Sequence, residues 1–354
     1  MEINEKERMP YIDAMKGIAI ILVVFLHSFM NTQRNRDSEY APIMNFLSYI
    51  AVPSFFFING YLYNHKYSLT PLKSMLKKAK AYYIPFVEFS LFFWLFHNVF
   101  VLLHFTSESL YSIWDYAKNF AKIFIMHMES DLNGAMWFLR ALLFMVCVFI
   151  CLDFVALKIK NRYMRYVFLT VIILVMYALS ETKLGTTKYN INRVLNCSVF
   201  FLLGMVIREF ELDKIIARHK TLVFIVGMII FTVNCHFFRG GFGVKEHFLD
   251  IPGNMCGILA LFALANYKPI YESKAVIYLG KASIDIMSLH FLAFKVPSLI
   301  LIMLRGLEIE RLEDVPVLKG TYGADFMLYA FFGITLCAAE YYLRNKIIKG
   351  VIKE

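Results

Sequence analysis

Charge is what this chain has least of. Asp, Glu, Lys and Arg make up 18% of its 354 residues, where a soluble domain carries about 25%; an ordinary water-soluble globule is excluded. Metal and nucleophile signatures are missing as well. No CxxC, HExxH or GxSxG occurs, so the sequence offers neither a metal-site motif nor a serine nucleophile elbow. The six cysteines (Cys147, Cys151, Cys197, Cys235, Cys256 and Cys337) all lie in or beside apolar runs and read as small packing residues. No repeat of 20–50 residues, inverted repeat or low-complexity tract is visible. The first apolar run lacks a small-x-small cleavage site and is expected to be retained rather than removed as a signal peptide.

What is abundant is apolar length. The chain is 59% hydrophobic with a mean hydropathy of +0.58, and the apolar residues fall in runs near the roughly 20 needed to cross a bilayer as a helix. The expected fold is all-α: a polytopic integral membrane protein with about ten transmembrane helices in a single membrane domain spanning residues 1–354. The candidate spans are 17–30, 46–63, 82–104, 135–157, 166–180, 194–207, 221–238, 252–267, 283–304 and 323–343. With the N-terminus placed in the cytoplasm, 23 of the 37 Lys and Arg residues fall on that side and 12 on the other. That bias is the positive-inside signature and puts both termini in the cytoplasm. The net charge of +10 is therefore topological, and no nucleic-acid partner is expected. Between the third and fourth runs, residues 105–134 mix aromatics with charges and are expected to form an amphipathic interfacial helix.

Polar residues within the apolar runs carry the information, because each must be hydrated, paired or functional. Lys16 and His27 lie eleven residues apart. Eleven steps of an α-helix end about 20° from three whole turns after a rise of roughly 16 Å, so the two share one face at different depths. Asp13 joins that face about 20 Å from His27. A lysine reaching the membrane surface beside a carboxylate also fits Lys16 and Asp13, and a hydrogen bond to a neighbouring helix also fits His27. The functional reading is a charged mouth above an imidazole able to act as general base near neutral pH. In the second run, Asn59 and Gly60 offer a donor–acceptor pair and a close backbone approach. Trp137 opens the fourth run, with Arg140 near one interface. In the ninth, Gly280-Lys281 precedes Ser283, His290 and Lys295, and one or both of the last two are expected to line a polar cavity. Gly280-Lys281 is not a phosphate-binding loop, since Ala occupies position 275. The lysines from Lys73 to Lys80 face the same compartment as Lys16, and Glu88 is a weaker candidate.

The stretch Arg8-Met-Pro-Tyr-Ile-Asp13-Ala-Met-Lys16-Gly-Ile-Ala-Ile-Ile-Leu-Val-Val-Phe-Leu-His27-Ser28 resembles the opening of the membrane acyltransferase 3 family, and its fucose 4-O-acetylase-like branch most. Pro53–Leu62, Trp137–Leu139, Phe200–Gly204 and Gly280–His290 are similar to later landmarks in the same order. Ala51-Val52, Asn59 and Arg140 depart from the branch's usual residues. The resemblance implies an integral-membrane O-acyltransferase that moves an acyl group, acetyl above all, from acetyl-CoA to a hydroxyl of a surface polysaccharide or its lipid-linked precursor. It implies no permanently bound cofactor and a multi-pass protein of the bacterial cytoplasmic membrane. In that reading His27, Lys16 and Asp13 are the catalytic set, and Asn59, Gly60, Trp137, His290 and Lys281 contact substrate, with Asn59 and His290 as candidate oxyanion donors. The competing reading from the residues alone is a proton-coupled transporter or flippase, since intramembrane His, Lys and Glu suit transport too.

Overall fold

The computed structural model describes residues 9–30, 41–128, 130–180, 191–237, 250–321 and 323–351. Every regular element among them is a helix. The principal ones are α1 (Pro10–Phe29), α2 (Ala41–Tyr61), α3 (Pro71–Leu95), α4 (Ile113–Phe124), α5 (Trp137–Ala156), α6 (Arg162–Ser180), α7 (Ile191–Glu209), α8 (Lys220–Phe237), α9 (Ile251–Ala265), α10 (Lys274–Lys281), α11 (Ser283–Ala293), α12 (Lys295–Arg305) and α13 (Asp325–Val351). The third expected run, 82–104, crosses a helix break between Leu95 and His97, and the ninth, 283–304, crosses the break between α11 and α12; residue 238 of the seventh lies outside the described residues.

Six helices are long and apolar enough to cross a membrane, or seven if the bent pair Leu212–Arg218 and Lys220–His236 counts as one span. Ten are not established by this measure, for local reasons. Helix α3 begins at Pro71, so its first turns carry Lys73, Lys77, Lys78 and Lys80. Helix α9 has 15 residues and rises about 22 Å, less than the roughly 30 Å of hydrocarbon. Helix α7 has Asn196 buried within it and Arg208 in its last turn. In α6 and α13 only 28% and 22% of the apolar window is buried within the protein. Their outward rows, such as Val167, Val171, Leu174 and Val175, form continuous apolar surface that lipid satisfies and water does not.

Helix α1 is the hub. It starts at Pro10 with Asp13 in its first turn, where proline's missing N–H costs nothing and the helix dipole favours a carboxylate. It packs against α2, α9, α10, α11 and α13. The expected amphipathic segment is α4, closed at its start by a reciprocal Ser112–Asp115 capping box. Its Ile113 and Trp114 project outward almost fully exposed, as an interfacial helix requires. Arg34, Arg36, Lys183, Lys188, Arg239 and Lys245, half of the basic residues counted on the second side, lie outside the described residues.

Candidate active site

Two glycines bring the site together. A Cβ on Gly17 would lie 2.1 Å from the Val276 carbonyl oxygen, and one on Gly280 1.9 Å from that of Asp13. Backbones of α1 and α10 thus touch directly, the contact that small residues permit between membrane helices. This contact is what Gly280 does in the Gly-Lys pair. It sets Lys281 beside Lys16 at the rim of a cavity of about 420 Å³. Asp13, Lys78, Asn59, Tyr82, Ser283 and Tyr341 supply the other polar walls. Lys16 lies 3.5 Å from Asp13. Three lysines against one carboxylate leave the chamber cationic, and exposed Lys281 marks its outer edge.

A second cavity, about 30 Å³, is lined by His27 and Trp137 together with Ile20, Val23, Val52 and Ala135. Phe55, Phe138 and Met287 line both chambers. Lys16 and His27 therefore share a face of α1, as their spacing predicts, and that face borders two adjoining cavities. Helix α1 starts at Pro10, so His27 falls in its last turn.

His27 and His290 form a dyad. Their rings stack with centroids 4.9 Å apart, and His27 Nδ1 lies 2.8 Å from His290 Nε2. The edge of Phe291 closes on the His27 ring. His290 Nδ1 lies 2.8 Å from the carbonyl oxygen of Ile286. A carbonyl only accepts, so His290 Nδ1 carries the proton, and in the neutral ring its Nε2 is the acceptor. His27 must then donate from Nδ1, which fixes its tautomer and leaves its Nε2 as the basic atom. The pair is a single-direction relay ending on a helix carbonyl.

The remaining candidates separate. Trp137 and Lys281 lie where a ligand could meet them. His290 is fully buried with both nitrogens engaged, so it holds His27 rather than touching substrate or an oxyanion. Asn59 lines the large chamber, not the His27 cavity. One amide N–H donates to the Phe55 carbonyl (2.9 Å) and its oxygen accepts from Tyr82, so it belongs to the wall of the large chamber rather than to the surroundings of His27. Gly60 is a packing residue: a Cβ there would lie 1.9 Å from the Phe201 carbonyl oxygen, and Gly204 reciprocates against Phe57 and Tyr61. Lys295 lines no described cavity. It is 2% exposed, and its ammonium donates to the carbonyls of Leu312 (2.7 Å) and Asp314 (2.9 Å). Arg140 donates to the Met126 carbonyl, and Glu88 meets Arg344 at 3.8 Å.

Tyr82 and Tyr341 were not singled out by sequence, Lys78 stood only as one of the lysine run, and Ser283 was named without a role. A signal existed for two of them, since Lys78 and Tyr82 are four residues apart and so share a face of α3. Of the lysine run, Lys78 alone lines the chamber; Lys73, Lys77 and Lys80 are exposed.

A separate titratable cluster ties the α2–α3 connection to the bundle. Fully buried Asp153 accepts from Ser68 (2.6 Å) and lies 2.8 Å from His65 Nδ1. The hydrogen bond to Asp153 pushes the His65 pKa above its ordinary value against the opposing effect of burial; Asp153 and Glu209 add to the rise and Arg165 opposes it. A raised folded-state pKa contributes stability that is complete below about 6.5 and is lost as pH rises through the raised value. The thermal-stability gap between wild type and His65→Asn is therefore expected to shrink from about pH 6 to about pH 9. A gap independent of pH would exclude the charged pair.

A helical bundle in which six or seven helices are long and apolar enough to cross a membrane defines a polytopic membrane protein. The chain belongs to the acyltransferase family: the acyltransferase domain model matches residues 9–339. It is a membrane acyltransferase. Neither the curated proteins nor the solved structures give a match to it.

Proposed function

We propose that the protein is an O-acetyltransferase that takes acetyl from acetyl-CoA and passes it to a hydroxyl of a cell-surface glycan or its lipid-linked precursor. The observation carrying this reading is a match of lengths. The cationic chamber and the His27 ring mark opposite ends of α1, and Lys16 and His27 are about 16 Å apart along it. The pantetheine arm of CoA is a chain of about twelve bonds, and covalent geometry extends such a chain to about 14 Å. Phosphates seated among Lys16, Lys78 and Lys281 therefore leave the thioester carbonyl near His27.

The chemistry follows from the dyad. His27 Nε2 accepts the proton of the acceptor hydroxyl as its oxygen attacks the thioester carbonyl. The tetrahedral oxyanion collapses, the C–S bond breaks, and the CoA thiolate leaves with the proton from His27. While His27 is charged, its Nδ1–H remains bonded to His290 Nε2, which keeps the ring oriented through both proton transfers. The glycan acceptor rests on the likeness to the fucose 4-O-acetylase-like branch, and the cytoplasmic termini and cell-membrane location on the charge bias. Acetyl-CoA then arrives from the cytosol at Lys16, and the acceptor meets His27 near the opposite face.

Purified protein in nanodiscs, given radiolabelled acetyl-CoA and the glycan fraction of its host membranes, is expected to release CoA thiol and label the glycan in equal amounts. Lys281→Glu should raise KM for acetyl-CoA by about tenfold with kcat nearly unchanged, because it removes ground-state binding of phosphate. Solute movement without thiol release would instead support the transporter reading.

A further inference from the structure

Phe55, Phe138 and Met287 separate the two chambers. All three are buried (8%, 7% and 5% exposed), and each lines both the 420 Å³ cationic chamber and the 30 Å³ His27 cavity. Resting on the acyl-transfer reading above, we infer that these three side chains form an acyl-length gate. Only an acetyl-sized group can pass them and be seated beside His27.

Volume supplies the first argument. At about 30 Å³ against about 420 Å³, the inner cavity is more than tenfold smaller than the cationic chamber and suits a short acyl group. Apart from His27 and Trp137, its walls are the apolar side chains of Ile20, Val23, Val52 and Ala135 and the three gate residues, which leave little room for a longer chain. Additional methylenes would have to displace those walls or remain in the gate.

The character of the three residues supplies the second. Phe55 and Phe138 pack edge to face with centroids 5.4 Å apart, and Phe138 also meets Phe56 edge to face at 5.6 Å. These rings are fixed by their neighbours. Met287 is unbranched with three rotatable bonds, the side-chain type that yields most readily. It lies on α11 three residues before His290, on the same helix face as the ring that orients the base. Met287 is therefore the movable leaf and the two phenylalanines are the frame.

The test compares acetyl-, propionyl- and butyryl-CoA by acceptor-dependent thiol release. Discrimination by an apolar pocket runs at about tenfold or more per methylene, so wild-type kcat/KM should fall at least tenfold from acetyl to butyryl. Met287→Ala should raise the butyryl-to-acetyl ratio about tenfold, and Phe138→Leu, which keeps an apolar branched side chain, should move the ratio the same way if Met287→Ala does not accumulate. A wild-type fall smaller than tenfold overturns the gate, as does an unchanged ratio in a folded, acetyl-active variant. Absence of thiol release from every thioester, in wild type included, removes the acyl-transfer reading and the gate with it.

Discussion

Replacing His27 by Ala is expected to lower acyl transfer about 10²–10⁴-fold, the usual contribution of a positioned general base, while leaving a folded, membrane-inserted protein. The side chain is partly exposed to a small cavity, so its removal mainly enlarges a space that already exists. His290→Ala should fall in the same direction by a smaller factor, about 10–100-fold, because the base remains but its tautomer is no longer fixed. The double variant separates positioning from independent catalysis. Groups acting as one unit are strongly non-additive, so the pair should lose little more than His27→Ala alone. A merely structural His290 would lower the amount of folded protein and leave kcat per folded molecule unchanged. His290→Ala with an unaltered pH–rate profile would likewise show that it does not orient the base. Radiolabel transfer that survives in His27→Ala would remove the dyad from the mechanism altogether.

Gly60→Ala is expected to have a large structural effect. The new Cβ would stand 1.9 Å from the Phe201 carbonyl oxygen and 2.7 Å from its carbonyl carbon. Both are backbone atoms, so no rotamer change relieves the clash and α2 must move from α7. Overpacking of this kind costs about 1–3 kcal/mol, occasionally more, and between membrane helices there is little hydrophobic gain to offset it. Gly134→Ala is the control, since its Cβ would meet only the Phe291 ring at 3.3 Å. Thermal unfolding in one detergent should show a clear drop in midpoint for Gly60→Ala and a much smaller one for Gly134→Ala. Because α2 also carries Phe55 and Asn59 into the chambers, any Gly60→Ala protein that accumulates should lose transfer activity too. Equal midpoints for the two variants would show that the α2–α7 contact is looser than its geometry.

Much of this was legible in the chain. The apolar runs mark where helices lie because a helix in lipid must satisfy its backbone internally over a fixed length. The eleven-residue spacing of Lys16 and His27 places them on one face because the period of an α-helix is a local property. Where the reading failed, the cause lay elsewhere. Gly60 was read as a group awaiting a ligand, yet the close approach it permits is to the Phe201 backbone of α7. One or both of His290 and Lys295 were expected to line a polar cavity, but His290 meets His27 and the Ile286 carbonyl while the Lys295 ammonium donates to the carbonyls of Leu312 and Asp314. Lys78 could not be told from Lys77 or Lys80, because only the packing of α3 selects which lysine turns inward.

By itself, then, the sequence determined the helical membrane class, the positions of the apolar runs and the alignment of Lys16 with His27, all of which depend on hydropathy and helical period. The partnership of His27 with His290, 263 residues further on, was decided only by tertiary structure, as were the tautomer that follows from it and the division of the interior by Phe55, Phe138 and Met287. Those features depend on which helices touch and at what rotation. Packing at Gly17, Gly60, Gly204 and Gly280 sets that rotation, through contacts that no local window of residues encodes.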